Sequence, residues 1–156
     1  MNTNPYPQLN MPRCDLLTRE VAGRTEAFDI VRRHYVALTP EEWVRQHVIH
    51  ALHFQMQYPL ELMQVEGSIT LNEMTRRCDI VVYGRKAKPQ MIVECKKPDV
   101  GITQKVVDQA CRYNTVLKVP YLYLTNGIQH LILKVDFEKK RLVQLDSLPE
   151  WGGLEG

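Results

Sequence analysis

Between residues 64 and 95 the sequence changes period, and this change limits the fold more than any other feature of the chain. Three short runs, QVEGSITL at 64–71, RCDIVVY at 77–83 and QMIVEC at 90–95, are rich in Val, Ile and other apolar residues, and polar breaks at 72–75 and 84–89 separate them. Runs of this length and composition read as strands, and the short polar link between the last two predicts an antiparallel hairpin. Ahead of them a helix starts at Pro40: Thr39 is its N-cap, proline takes the first helical position, and Glu42 lies three residues after the cap. Val44, Val48, Ala51 and Leu52 continue it as an apolar stripe that fades near Gln57, before Pro59. A second helix is predicted over 103–117, with Val106, Val107, Ala110 and Tyr113 or Asn114 on adjoining faces and Pro120 at its exit. A strand at 121–125, an Asn126-Gly127 turn, a partner strand at 128–135 and a short run at 142–145 follow.

The resulting order, α-β-β-β-α-β-β, is that of an α/β domain in which helices flank a mixed central sheet. Residues 26–37 read as a short strand or strand pair ahead of this core. The expected division is an irregular arm over 1–25, one domain over 26–146 and a polar tail over 147–156. A chain of 156 residues buries enough apolar surface to fold as one unit, and 44% hydrophobic with 24% charged residues excludes a disordered polymer. The net charge of +2 neither demands nor excludes nucleic acid, because phosphate binding depends on a local patch. Cys14, Cys78, Cys95 and Cys111 show no C-x2-C spacing, which argues against structural zinc and for four reduced thiols. With no basic-then-apolar leader and no apolar run of 18 residues, the expected location is the cytoplasm.

Chemistry concentrates at Asp79 and, fifteen residues later, Glu94-Cys95-Lys96. Both acids sit among strand-forming apolar residues, where an isolated charge is costly unless paired, protonated or bound to a cation. Two acids on neighbouring strands can converge on a hard divalent cation, Mg2+ or Mn2+, that prefers oxygen ligands. Residues two apart in a strand share a face, so Lys96 stands beside Glu94 and can position an attacking water or offset charge on phosphorus. The competing explanation is a buried ion pair kept for packing; two acids accompanying one lysine favour the chemical one.

The runs TPEEWVRQ, RRCDIVVY, IVECKKP, DQACRYN and VPYLYLTNG together resemble the N-terminal nuclease domain of type I restriction enzyme R subunits, and more closely the short proteins grouped with that domain. The resemblance spans about residues 26–137 and implies a restriction-endonuclease-like fold with an α-β-β-β-α-β core and a site of the PD-(D/E)xK nuclease superfamily. It implies that Asp79 and Glu94 bind Mg2+ or Mn2+, that Lys96 serves the attacking water, and that Gln109 and Tyr113 match the Q-x-x-x-Y that organises the site and nearby DNA. Cys78 stands where the superfamily pattern has proline, and the chain has no P-loop for an ATP-driven motor.

The family's helix acid has two candidates here. A capping box with Thr39 accounts for Glu42, whereas Glu41 lies three and seven residues before Val44 and Val48, on the sheet-facing side, and is the expected extra ligand. Arg77, Lys97, Lys105, Arg112 and Tyr113, together with Arg76, are the expected DNA contacts, although a solvated face would carry the same charges. His47, His50 and His53 share the first helix without a third ligand type and read as surface or packing residues. The expected function is metal-dependent endonucleolytic hydrolysis of DNA in restriction or defence, with restriction-modification or other defence subunits as partners. One site cuts one strand, so cutting a duplex needs a homodimer or successive nicks. The alternative is an inactive nucleic-acid-binding or assembly module that keeps the fold.

Overall fold

The structure, a computed structural model, describes residues 6–155. Its centre is a six-stranded mixed sheet into which two helices deliver their apolar faces. The first, α1 (Pro40–His50), starts as the sequence predicts: the Thr39 hydroxyl accepts the Glu42 backbone N–H at 3.1 Å. It runs into a wider π-type turn at Ala51–Gln55 before the chain leaves through Tyr58. The second, α2 (Gln104–Leu117), is capped by Thr103 and ends where Lys118 takes a left-handed conformation at φ 54°.

Eleven strands lie among the described residues. Three precede α1: β1 (Thr18–Val21), β2 (Arg24–Asp29) and β3 (His34–Ala37) form an antiparallel sheet of their own. The irregular arm expected over 1–25 is therefore partly a strand, because Thr18–Val21 pairs with the start of β2; residues 1–5 of that arm lie outside the described residues. The run at 64–71 also divides. β4 (Met63–Val65) joins the central sheet, Glu66 turns the chain with φ 54°, and β5 (Ser68–Leu71) pairs instead with β6 (Met74–Arg77). Asn72 and Glu73, both at positive φ, close this small hairpin as a two-residue turn. Arg77 thus belongs to the hairpin, and the strand expected over 77–83 is β7 (Ile80–Tyr83).

β7 and β8 (Pro89–Cys95) form the predicted antiparallel pair, with Ile80 opposite Val93. α2 then carries the chain across one face so that β9 (Tyr121–Thr125) runs parallel to β8. β10 (His130–Asp136) and β11 (Arg141–Leu145) return antiparallel, giving the order β11-β10-β9-β8-β7-β4. Alternation sorts the side chains. Ile80, Val82, Met91 and Val93 pack with Val44 and Val48 of α1 and Leu52 of the π-type turn, while Val81, Ile92 and Leu122 pack with Leu117 at the end of α2.

The expected polar tail is anchored too. Trp151 Nε1–H donates to the Tyr83 carbonyl at 3.1 Å, and Leu154 is buried against the core. All four cysteines are free, with Cys78 and Cys95 buried. No helix among the described residues is long and apolar enough to cross a membrane.

Candidate active site

The chemistry-bearing residues meet where β7 and β8 leave the sheet. Continuing the β7–β8 register by one pair sets Asp79 beside Glu94, and Glu94 shares the face of Ile92, the side on which α2 packs. Cys95 turns the other way into the core, so Glu94 and Lys96 both line one polar cleft. The cleft holds about 360 Å3 and is also lined by Glu41, Arg45, Glu66, Arg76, Arg77, Cys78, Asp79 and Gln109. Four elements contribute: α1 brings Glu41, the β5–β6 hairpin brings Arg76, the β7–β8 pair brings the central acids and α2 brings Gln109.

Asp79 is fixed from both sides. Its Oδ1 accepts Arg45 Nη2–H at 2.8 Å, and its Oδ2 accepts the Cys95 backbone N–H at 2.8 Å. The second bond ties the acid to the strand that carries Glu94, so the two carboxylates cannot drift apart without breaking the sheet's end. Glu94, with 12% of its side chain exposed, is ion-paired to Arg76, whose guanidinium lies 4.1 Å over the Tyr113 ring centroid. The Lys96 backbone N–H donates to the Thr125 carbonyl at 2.8 Å, extending the parallel β8–β9 pairing one residue past the strand. That bond fixes the main chain from which the lysine side chain enters the cleft.

The two helix acids separate cleanly. Glu41 has 47% of its side chain exposed and lines the cleft, whereas Glu42 points beneath α1. Burial and the nearby Asp79 charge hold the Glu41 carboxyl above the usual carboxylate range, against the pull of Arg45 and Lys96. The capping box expected for Glu42 is half formed. Its backbone N–H meets Thr39, but its carboxylate joins Arg32, Arg45 and Gln46, and the Thr39 N–H donates to Ala37 instead.

Of the other expected residues, Gln109 reaches the cleft and also borders an adjoining hollow with Lys105, Arg112 and Tyr113. Arg77 lines the cleft while donating to Glu66 at 3.1 Å. Lys97 stands apart, exposed and 3.9 Å from Asp99. His47 packs on Trp43 at 4.4 Å between ring centroids, which accounts for it as a core residue.

Sequence reasoning missed Arg45 and Glu66. Arg45 has 6% of its side chain exposed and meets four acids: Asp79, Glu42, Glu41 at 3.3 Å and Glu66 at 3.4 Å. The available signal was its spacing, three and four residues after Glu42 and Glu41 on the helix that faces the sheet.

With the side chains in these positions, no group of three His, Cys, Asp or Glu among the described residues is close enough to hold a metal ion. The donor set itself suits a hard divalent cation: carboxylate oxygens from Asp79, Glu94 and Glu41 around a polar, open cleft. In this arrangement Arg45 is paired with Asp79 and Arg76 with Glu94.

Comparison with known proteins bears on the same region. A search of the curated proteins returned no match. A fragment of a putative HsdR subunit of a type I restriction enzyme from Vibrio vulnificus YJ016 is 27% identical over 60% of this chain, with a TM-score of 0.37. The match covers 18% of that chain, so this chain spans a small part of the length of the structure it matches. The family model described as type I restriction enzyme R protein N terminus matches residues 40–149, from the first residue of α1 to beyond β11. Both the central sheet and the cleft fall within that span, and the chain belongs to the family of type I restriction enzyme R protein N-terminal domains.

Proposed function

We propose that the protein is a metal-dependent phosphodiesterase acting on DNA, in restriction or a related defence function with other subunits of such a system. The observation that carries this reading is the convergence of Asp79, Glu94, Lys96 and Glu41 on one polar cleft from separate elements. Asp79, Glu94 and Glu41 are the residues that would hold Mg2+ or Mn2+ there. A divalent cation supplies two things to phosphodiester hydrolysis: a more acidic water and a counter-charge for the phosphoryl oxygens.

The chain's own residues supply the rest. Lys96, held by the Thr125 carbonyl through its backbone, places an ammonium where the attacking water and the non-bridging oxygens meet. Water oxygen bonds to phosphorus as the sugar oxygen leaves; the proton given up by the water ends on the departing oxygen, and the negative charge that grows on the phosphoryl oxygens in between faces Lys96. Asp79 keeps its position through the Cys95 N–H, and Gln109 offers an amide to the cleft from the α2 side. Lys105 and Arg112, along the adjoining hollow, suit the flanking backbone.

A second reading has an observation of its own. Asp79 and Glu94 are each already paired with an arginine, an arrangement that is electrically satisfied without a cation. It suits a nucleic-acid-binding or assembly module that has kept the fold without turnover. Nicking of supercoiled plasmid separates the two. Cleavage that requires Mg2+ or Mn2+ and falls at least about 100-fold in both Glu94→Ala and Lys96→Ala is expected for the enzyme. Equal silence of wild type and variants, with both metals and with single-stranded substrates, leaves the binding module.

A further inference from the structure

Arg76 differs from the other arginine of the site in how it is held. Arg45 is carried by α1, lies under the core and is shared among four acids. Arg76 is carried by a two-stranded hairpin whose residues are largely exposed, and its guanidinium has two partners, the Glu94 carboxylate and the Tyr113 ring. Its neighbour Arg77 is engaged elsewhere, with Glu66. The cation on Glu94 therefore comes from the edge of the cleft, on an element that the central sheet does not fix by strand pairing.

A guanidinium fork fits a phosphate as well as it fits a carboxylate, and it stacks on an aromatic ring in either case. Moving Arg76 from Glu94 to a phosphate in the same cleft replaces one charge-assisted pair by another. The Tyr113 ring supports the guanidinium at that position. A carboxylate oxygen that faces Arg76 is also not free for a divalent cation. We propose that Arg76 binds a backbone phosphate of the nucleic acid by exchanging Glu94 for it, so that phosphate binding is what frees Glu94. This rests on the reading above that Glu94 serves a cation. By linkage, each partner then raises the other's affinity for the site.

Two binding measurements on the full chain test this without turnover. The first follows a labelled DNA duplex by fluorescence anisotropy in EDTA. Glu94→Gln, which releases Arg76, is expected to tighten binding by about ten-fold, and Arg76→Gln to weaken it and lower the salt slope by about one. In the Arg76→Gln background the Glu94→Gln gain disappears. A gain that survives there reflects general charge removal and overturns the exchange.

The second follows Mn2+ binding by the loss of the free-ion electron paramagnetic resonance signal. Arg76→Gln is expected to bind Mn2+ about ten-fold tighter than wild type, and Glu94→Gln to lose binding. If wild type binds Mn2+ through Glu94 and Arg76→Gln binds no tighter, the exchange is wrong and the metal-dependent reading stands. If no protein binds Mn2+, both fall. Arg76 lies at the end of an edge hairpin, so folding of its variant is checked simply by an unchanged thermal transition.

Discussion

At the scale of single residues, the site rests on a buried run of alternating charge. Asp29, fully buried, accepts the backbone N–H groups of Val31 and Arg32, the Arg32 guanidinium and the Gln46 amide, all within 2.8 Å. Arg32 passes on to Glu42, Glu42 to Arg45, and Arg45 to Asp79. Each charge has an opposite neighbour, which offsets the cost of removing it from water, and loss of one member leaves its neighbours uncompensated. Burial alone would raise the Asp29 carboxyl. The Arg32 backbone N–H, the Gln46 amide and the Arg32 guanidinium outweigh it and hold the carboxyl below its ordinary value of 3.8. A carboxyl depressed in the folded state stabilises the fold above its unfolded pKa and loses that contribution as pH falls through the folded value. Asp29→Asn is therefore expected to cost about 3 kcal/mol at pH 7, with the gap from wild type closing below about pH 4. Urea titrations of both proteins between pH 3 and 7 check it. A gap independent of pH would mean that the loss is one of shape and hydrogen bonding rather than charge.

At the scale of elements, the α2 exit is fastened by a side-chain clip. Asn114, buried, donates its amide to the Val119 carbonyl and accepts the Val119 N–H, both at 2.9 Å, while Lys118 between them sits at φ 54°. This clip turns the helix into β9 and so sets how Gln109 meets the cleft and how Tyr113 stands against Arg76. Asn114→Ala strands two buried backbone groups and is expected to cost about 2–3 kcal/mol, whereas Lys118→Gly relieves the left-handed conformation and gains up to about 1 kcal/mol. Thermal unfolding of the two variants gives both signs. Much of this element level was legible in the sequence. The start of each helix, the β7–β8 hairpin and the strand after Pro120 follow from caps, periodicity and proline, because those signals are local. β1 was not legible, since Thr18–Val21 is exposed along its whole length and lacks the alternation that marks a half-buried strand. The split at Glu66 was also missed: the left-handed residue is not a glycine, and Gly67 beside it was the one local sign of a break in the run. In the site, Glu94 and Lys96 could be read from strand alternation, but the arginine that orients Asp79 was marked only by its spacing from Glu41 and Glu42, which does not tell a buried network from a solvated helix face. A charged residue on a helix looks the same in sequence whether it faces water or four acids.

At the scale of the whole molecule, the segment before α1 is part of the site's support although the family match begins at residue 40. The chain at residues 7–10 crosses to the Asn126–Gln129 turn and α1. Trp43 Nε1–H donates to the Pro7 carbonyl at 2.8 Å, and the Asn10 N–H donates to the Gly127 carbonyl at 2.8 Å. Leu9 is buried so close over Gly127 that a side-chain carbon there would stand 2.7 Å from its methyl, and the backbone of that glycine is at φ +87°. Behind this strap, Asp29 at the end of β2 holds Arg32 of the β2–β3 connection, which in turn donates to Glu42. A chain that starts at residue 39 loses the Leu9 burial, worth about 2 kcal/mol, and the Pro7 and Asn10 bonds at about 1 kcal/mol each. It also leaves Glu42 with one guanidinium in place of two, at about 3 kcal/mol. The sum is a large part of the roughly 5–15 kcal/mol that holds a domain together. The truncated chain is therefore expected to lose its cooperative urea transition and its near-ultraviolet circular dichroism, and with them any binding of duplex DNA. Arg32→Met in the full chain, which keeps the strap and removes only the charge link, should retain a cooperative transition at lower midpoint. A truncated chain that unfolds at the wild-type midpoint would show that residues 39–156 support Asp79 by themselves, and that the charge run needs to extend no further than Glu42.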